Sequence, residues 1–177
     1  MMNKILAISG STRLNSTNLN IIHAFISLTK GIFSVEIFNG IAELPHFNPD
    51  LDNENVSSFI TDFRKLISEA DGVLICTPEY AMGVPGTLKN AIDWTVSSCE
   101  FNKKPTALIT ASTIGEKGHA SLLETLKIID STISNETQLL ISLAKTKINA
   151  NFEITNEKTL SELNNLISAF EKVISAT

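Results

Sequence analysis

The feature that most constrains this chain is Val73 to Thr77 (VLICT), an unbroken apolar run flanked by segments whose apolar residues step at helical spacing. A strand that is apolar at successive positions has both faces covered. Among alternating strands and helices, this pattern implies a parallel sheet between two helical layers.

The rest of the chain repeats the alternation. Lys4 to Ser9 (KILAIS) reads as a strand ending at Gly10, followed by a polar loop and a helix carried by Leu19, Ile22 and Ile26. Ser34 to Phe38 (SVEIF) is a second strand. Val56, Phe59, Ile60, Phe63, Ile67 and Ala70 then trace one helical face, and Gly72 suits a left-handed cap behind it. Pro85 is placed to open the helix after the central strand, with Leu88, Ala91, Ile92 and Val96 as its stripe. Thr106 to Thr110 and Leu139 to Leu143 supply further strands, with a helix from about His119 to Ile129 between them. Leu160, Leu163, Ile167, Phe170 and Ile174 mark a closing helix that Thr159 and Glu162 can start as a capping box. The pattern is (βα)₅ in one domain over residues 1–177. Its right-handed crossovers make a three-layer α/β/α sandwich. Ligands of such sheets sit beyond the carboxyl ends of the strands, which directs attention to the loops after residues 9, 77 and 110.

Charge narrows the ligand class. A net charge of -5 argues against nucleic acid or an anionic membrane as partner. No stretch approaches the length of a membrane helix and the N-terminus lacks a signal-peptide pattern, so a cytoplasmic location is expected. Cys76 and Cys99 have neither metal-ligand spacing nor enough company for a disulfide framework. Cys76, within an apolar strand, reads as core packing rather than a nucleophile.

The loop Ser9 to Asn18 joins the first strand to a helix N-terminus, where free N–H groups and the helix dipole favour an anion. Ser11, Ser16 and Thr17 offer hydroxyls, Arg13 a charged fork, and Asn18 an amide that pins the loop or donates. The loop has neither the glycine-lysine pattern of an NTPase nor the three glycines of a dinucleotide fingerprint. Without a cysteine, it is not the nucleophilic loop of a cysteine phosphatase. Ordinary helix capping by Ser16 or Thr17 accounts for one residue, whereas a terminal phosphomonoester accounts for the arginine and the hydroxyls together.

Two segments resemble the NADPH-dependent FMN reductase family. GSTRLNSTN (residues 10–18) is similar to its GSxRxxSxN loop, and PEYAMGVPGTLKNAIDW (residues 78–94) to its PEYNxxxPGxLKNAIDW segment. LPHFNPDLD (residues 44–52) resembles its LPLFNPDLE-type loop. The resemblance implies a flavodoxin-like fold with a five-stranded parallel sheet of order 2-1-3-4-5. It also implies FMN as cofactor, NADPH or NADH as hydride donor, a small quinone-like acceptor, and a homodimer or homotetramer.

In this reading the flavin carries the chemistry in a ping-pong cycle, with no side chain as nucleophile or acid-base pair and no metal. Pro78, Glu79, Tyr80, Ala81, Met82 and Gly83 face the flavin ring, through apolar contact and backbone amides, while Pro85, Leu88 and Trp94 serve helix initiation and packing. A solvated or interface carboxylate is the competing role for Glu79. The family has Asn where this chain has Ala81, which removes one side-chain amide contact. The loop from Ala111 to His119 keeps Ser112 and Gly115 of the family's glycine-rich turn, and both are expected at the cofactor. Lys117 and His119 read as a charged loop residue and an N-terminal helix residue in preference to a place near the flavin's pyrimidine edge or a nucleotide phosphate, His23 reads as a packed or partly exposed side chain, and His46 has no assigned role. The rival from another class is a flavodoxin-type electron carrier that binds FMN without productive reaction with NAD(P)H. A receiver-like domain lacks its acidic cluster here.

Overall fold

The computed structural model describes residues 2–177. Its elements run β1 (Asn3–Ser9), α1 (Thr17–Leu28), β2 (Phe33–Phe38), α2 (Ser58–Glu69), β3 (Gly72–Thr77), α3 (Gly86–Asp93), β4 (Thr106–Ala111), α4 (Glu116–Ile128), β5 (Gln138–Ile141) and α5 (Glu157–Ser175). All four strand pairings are parallel, in the order β2-β1-β3-β4-β5. The expected sheet order is therefore observed. β3 is buried along its whole length, as an apolar central strand requires.

Alternate residues of the strands feed two cores. Ile5, Leu74 and Ile109 face α1 and α5, packing with Ile22, Phe25, Leu163 and Phe170. Leu6, Ile75 and Leu108 face the other layer and pack with Ile60, Phe63, Leu88 and Leu122. Because α1 and α3 leave neighbouring strands toward opposite faces, a crevice opens above the carboxyl ends of β1 and β3.

Several local expectations are corrected. Gly72 is not a left-handed cap, since α2 ends at Ala70 in extended backbone and Gly72 begins β3. A Cβ there would approach Phe170 Cζ to 2.7 Å, so its lack of a side chain lets α5 pack on the sheet. Thr159 and Glu162 do not form a capping box. Asn156 caps α5 by accepting from Thr159 N–H at 3.0 Å, and Glu162 instead pairs with Lys158 at 3.7 Å. Helix α4 begins three residues before His119, at Glu116. β5 stops at Ile141, leaving Leu143 in a left-handed turn at φ 52°. Val96 lies beyond α3 and is exposed.

The segments 44–52 and 85–94 are partners of one another. The carbonyl of Pro45 accepts from Trp94 Nε1 at 2.8 Å and Asn90 Nδ2 at 3.0 Å, while Asn90 Oδ1 accepts from Phe47 N–H at 2.7 Å. Arg64 then ties Asp52 (2.7 Å) to the carbonyl of Trp94 (2.7 Å). Burial pushes the Asp52 carboxyl upward, but the Ser97 hydroxyl and Arg64 guanidinium outweigh it and hold the group below its usual range. Asn90 and Trp94 thus anchor the long connection after β2.

Candidate active site

The crevice has a volume of ≈ 440 Å³, within the range of small-molecule sites. Just before its lining begins at Ser11, the N–H of Gly10 donates to the carbonyl of Cys76 at 2.8 Å. A Cβ on Gly10 would lie 2.3 Å from Thr77 Oγ1, so only glycine lets β1 and β3 end this close together. Beyond it Ser9 Oγ accepts from Ser11 N–H at 3.3 Å, and Ser11 Oγ from Arg13 N–H at 3.4 Å, which curls the loop over the strand end. Ser16 caps α1 by accepting from Asn18 N–H at 3.2 Å. The first turn of α1 carries no acidic residue.

Ser11, Arg13, Ser16, Thr17 and Asn18 all line the crevice. Asn18 is engaged at both ends of its amide. Nδ2 donates to the carbonyl of Ala111 at 3.3 Å and Oδ1 accepts from the Cys76 thiol at 3.4 Å, which pins α1 to β3 and β4. The Cys76 thiol is completely buried, and burial pushes its pKa far up. It packs rather than reacts.

From β3, Pro78, Glu79 and Tyr80 line the crevice, and a two-residue turn follows. Tyr80 N–H donates to the carbonyl of Gly83 at 3.1 Å and Gly83 N–H to that of Tyr80 at 2.9 Å. Ala81 and Met82 occupy the turn at φ 49° and φ 60°, the left-handed pair of a type I′ turn that asparagine and glycine adopt most readily. Asparagine after Pro-Glu-Tyr is thus favoured by backbone conformation, a reason distinct from the side-chain contact expected from sequence. Ala81, Met82 and Gly83 sit at the mouth and do not line the cavity. Among the described residues, the N–H groups of Glu79, Ala81 and Met82 have no backbone or side-chain partner.

The Glu79 carboxylate turns toward the neighbouring loop. Oε1 accepts from Gly115 N–H at 3.1 Å and Oε2 from Gly118 N–H at 2.6 Å, so it caps the positive end of α4. A Cβ on Gly118 would come within 3.1 Å of both Glu79 Cγ and the Gly83 carbonyl, so the glycine permits this close seam. Ser112 lines the crevice and donates to the Glu79 carbonyl at 3.4 Å, whereas Gly115 starts α4 at φ 96° outside the cavity.

His119 and Lys117 are absent from the cavity lining. His119 Nε2 lies 3.0 Å from Gln138 Oε1, which accepts only, so Nε2 carries the proton and Nδ1 accepts from the Thr110 hydroxyl at 2.8 Å. Burial lowers its pKa, partly offset by Gln138. His23 lies on α1 with its ring 4.6 Å from that of Phe152.

Sequence reasoning missed the fourth wall. Leu143, Ala144, Lys145 and Thr146, after β5, line the crevice, as do Ala111 at the end of β4 and Thr113 just beyond it. Leu143 and Ala144 N–H donate to the carbonyls of Thr113 and Ser112, each at 3.1 Å. The only available signal was general, namely that a loop following a parallel strand reaches the same rim as the others.

A doubly wound parallel sheet of this order, with a crevice bounded by the loops after β1 and β3, defines a flavodoxin-like protein. The chain belongs to the NADPH-dependent FMN reductase family, whose model matches residues 3–146. It is 33% identical over 174 residues to a 2-hydroxy-1,4-benzoquinone reductase of Burkholderia sp., covering 94% of this chain and 93% of that one. It is 32% identical over 174 residues to an NAD(P)H-dependent FMN reductase of Pseudomonas aeruginosa, covering 95% and 93% respectively. Among solved structures, the flavoenzyme NAD(P)H:(acceptor) oxidoreductase FerB of Paracoccus denitrificans superposes with a TM-score of 0.81 at 26% identity, over 99% of this chain and 98% of that one.

Proposed function

We propose that the protein is an FMN-dependent oxidoreductase that moves hydride from NADPH or NADH to a quinone-like acceptor. The observation that carries this reading is the polarity of the crevice. The loop after β1 offers Ser11, Arg13, Thr17 and the start of α1, while the loop after β3 offers Pro78, Tyr80 and the unpartnered N–H group of Glu79, with those of Ala81 and Met82 on the adjoining turn outside the lining. The first set would hold the phosphate of FMN, and the second would meet the apolar face and the carbonyl and nitrogen edge of its ring. Bound FMN supplies the hydride-accepting chemistry. The chain orients the ring, leaves one side open to planar partners in turn, and needs no nucleophile of its own. Family membership and the quinone and FMN reductases among the relatives support the same assignment.

Assembly as a homodimer or homotetramer belongs to the proposal, supported by exposed Tyr80, Met82, Ile114 and Leu143 on loops at the rim. So does a cytoplasmic location, to which the unpaired Cys76 and Cys99 are suited. Among the described residues no helix is long and apolar enough to cross a membrane.

Anaerobic mixing of FMN-loaded protein with each reduced nucleotide tests the function. Rapid bleaching of the flavin absorbance, and its return on adding a benzoquinone, is expected. Stable FMN binding with no nucleotide reaction would leave an electron carrier instead.

A further inference from the structure

The loop after β5 belongs to no part of the three matching segments, yet it forms one side of the crevice. It is held at both ends. Leu143 and Ala144 hang from the carbonyls of Thr113 and Ser112, and further along the Phe152 ring packs, tilted by 35°, against His23 in the second turn of α1. Ile148 and Ile154 pair as an antiparallel bridge that brackets Phe152. The segment therefore passes from the end of β4 toward α1, and Lys145 lies on that path, lining the same cavity as Ser16 and Thr17 at the start of α1.

The charges around this cavity are unbalanced. Arg13 and Lys145 line it, and among the described residues neither forms an ion pair. Glu79, the one acid among the described residues of the lining, is committed to Gly115 and Gly118. The positive end of α1, with no acid in its first turn, adds to the same sign. In a chain of net charge -5, this local excess of positive potential suits a ligand group with more than one negative charge.

A phosphomonoester near neutral pH carries between one and two negative charges, and the Arg13 fork supplies only one counter-charge. We infer that Lys145 is the second counter-charge to the flavin phosphate, so that the site is completed by the β5 loop as well as the β1 loop. The inference rests on the FMN reading above. As an exposed point charge on a flexible stem, Lys145 contributes attraction rather than fixed geometry, and its effect is sensitive to salt.

FMN and riboflavin titrated into wild type, Lys145→Gln, Lys145→Arg and Lys147→Gln test it, with Lys147 as a neighbouring cation outside the cavity. FMN affinity is expected to fall about tenfold in Lys145→Gln at low salt and by less at high salt, while riboflavin affinity stays the same. Lys145→Arg restores most of the loss, and Lys147→Gln behaves as wild type. Unchanged FMN binding in Lys145→Gln, or equal losses for FMN and riboflavin, would overturn the assignment while leaving FMN in the crevice. Unchanged FMN binding with a rise in KM for NADPH alone would overturn it in favour of the nucleotide's phosphate. Wild-type protein that fails to bind FMN would remove the flavin reading itself, and this inference with it.

Discussion

The two ends of the crevice are built differently. At the β1 end Ser11 and Ser16 are buried, each serine oxygen accepts a backbone N–H, and Gly10 is wedged against Thr77. At the β3 end Tyr80 and Met82 are 49% and 70% exposed, and the turn holds two successive non-glycine residues in left-handed backbone. A loop whose serines are closed onto its own backbone suits a group that stays in place, such as the phosphate of a resident cofactor. An open turn with free amides suits the end where flat partners come and go. Glu79 joins the two designs, because its backbone belongs to the open turn and its carboxylate fastens that turn to α4.

Substitutions can break this contrast. The largest effect is expected for Gly10→Ala, whose new methyl collides with Thr77. Unfolding free energy should drop by about 3 kcal/mol, read by urea denaturation, and an unchanged midpoint would show that the β1 end is not tightly packed. Glu79→Ala removes two charge-assisted bonds to α4 and should cost about 2 kcal/mol. FMN and riboflavin should weaken together, because the displaced turn meets the ring. A loss confined to FMN would move Glu79 to the phosphate end.

Ala81→Asn sharpens the comparison from the other side. It places a residue tolerant of left-handed backbone in the turn, so stability should rise by about 1 kcal/mol with little change in FMN affinity. A gain in affinity without a gain in stability would restore the side-chain contact to asparagine. The smallest effect concerns His119. Its folded pKa lies below the ordinary 6.5, so its contribution to stability is complete above that pH and is lost as pH falls through the lower folded value. His119→Gln should flatten that part of the urea-midpoint profile, and an identical slope in wild type and variant would assign it to another group.

Much of this was legible because the physics is local. Ser11, Arg13, Ser16 and Thr17 come from one stretch that runs into a helix start, and the structure brings them to one crevice. The apolar run of β3 predicted its central place in the same way. The wall formed by Leu143 to Thr146 had no such pattern, since its position depends on hydrogen bonds to Ser112 and Thr113, about thirty residues earlier. Glu79 was named, but the target of its carboxylate follows from how closely Gly118 lets α4 approach. The cap of α5 was misplaced by three residues because Thr159 and Asn156 are both acceptable N-cap types, and only the backbone path decides between them.

The central claim is that the crevice holds FMN with its phosphate at the start of α1. Calorimetric titration of FMN and riboflavin into wild type and Arg13→Ala tests it most directly, because the two ligands share a ring and differ by the phosphate. Wild type should prefer FMN by about two orders of magnitude, and Arg13→Ala should lose roughly tenfold or more of that preference while riboflavin affinity holds. Equal affinity of wild type for the two ligands, or a preference untouched by Arg13→Ala, would contradict the account.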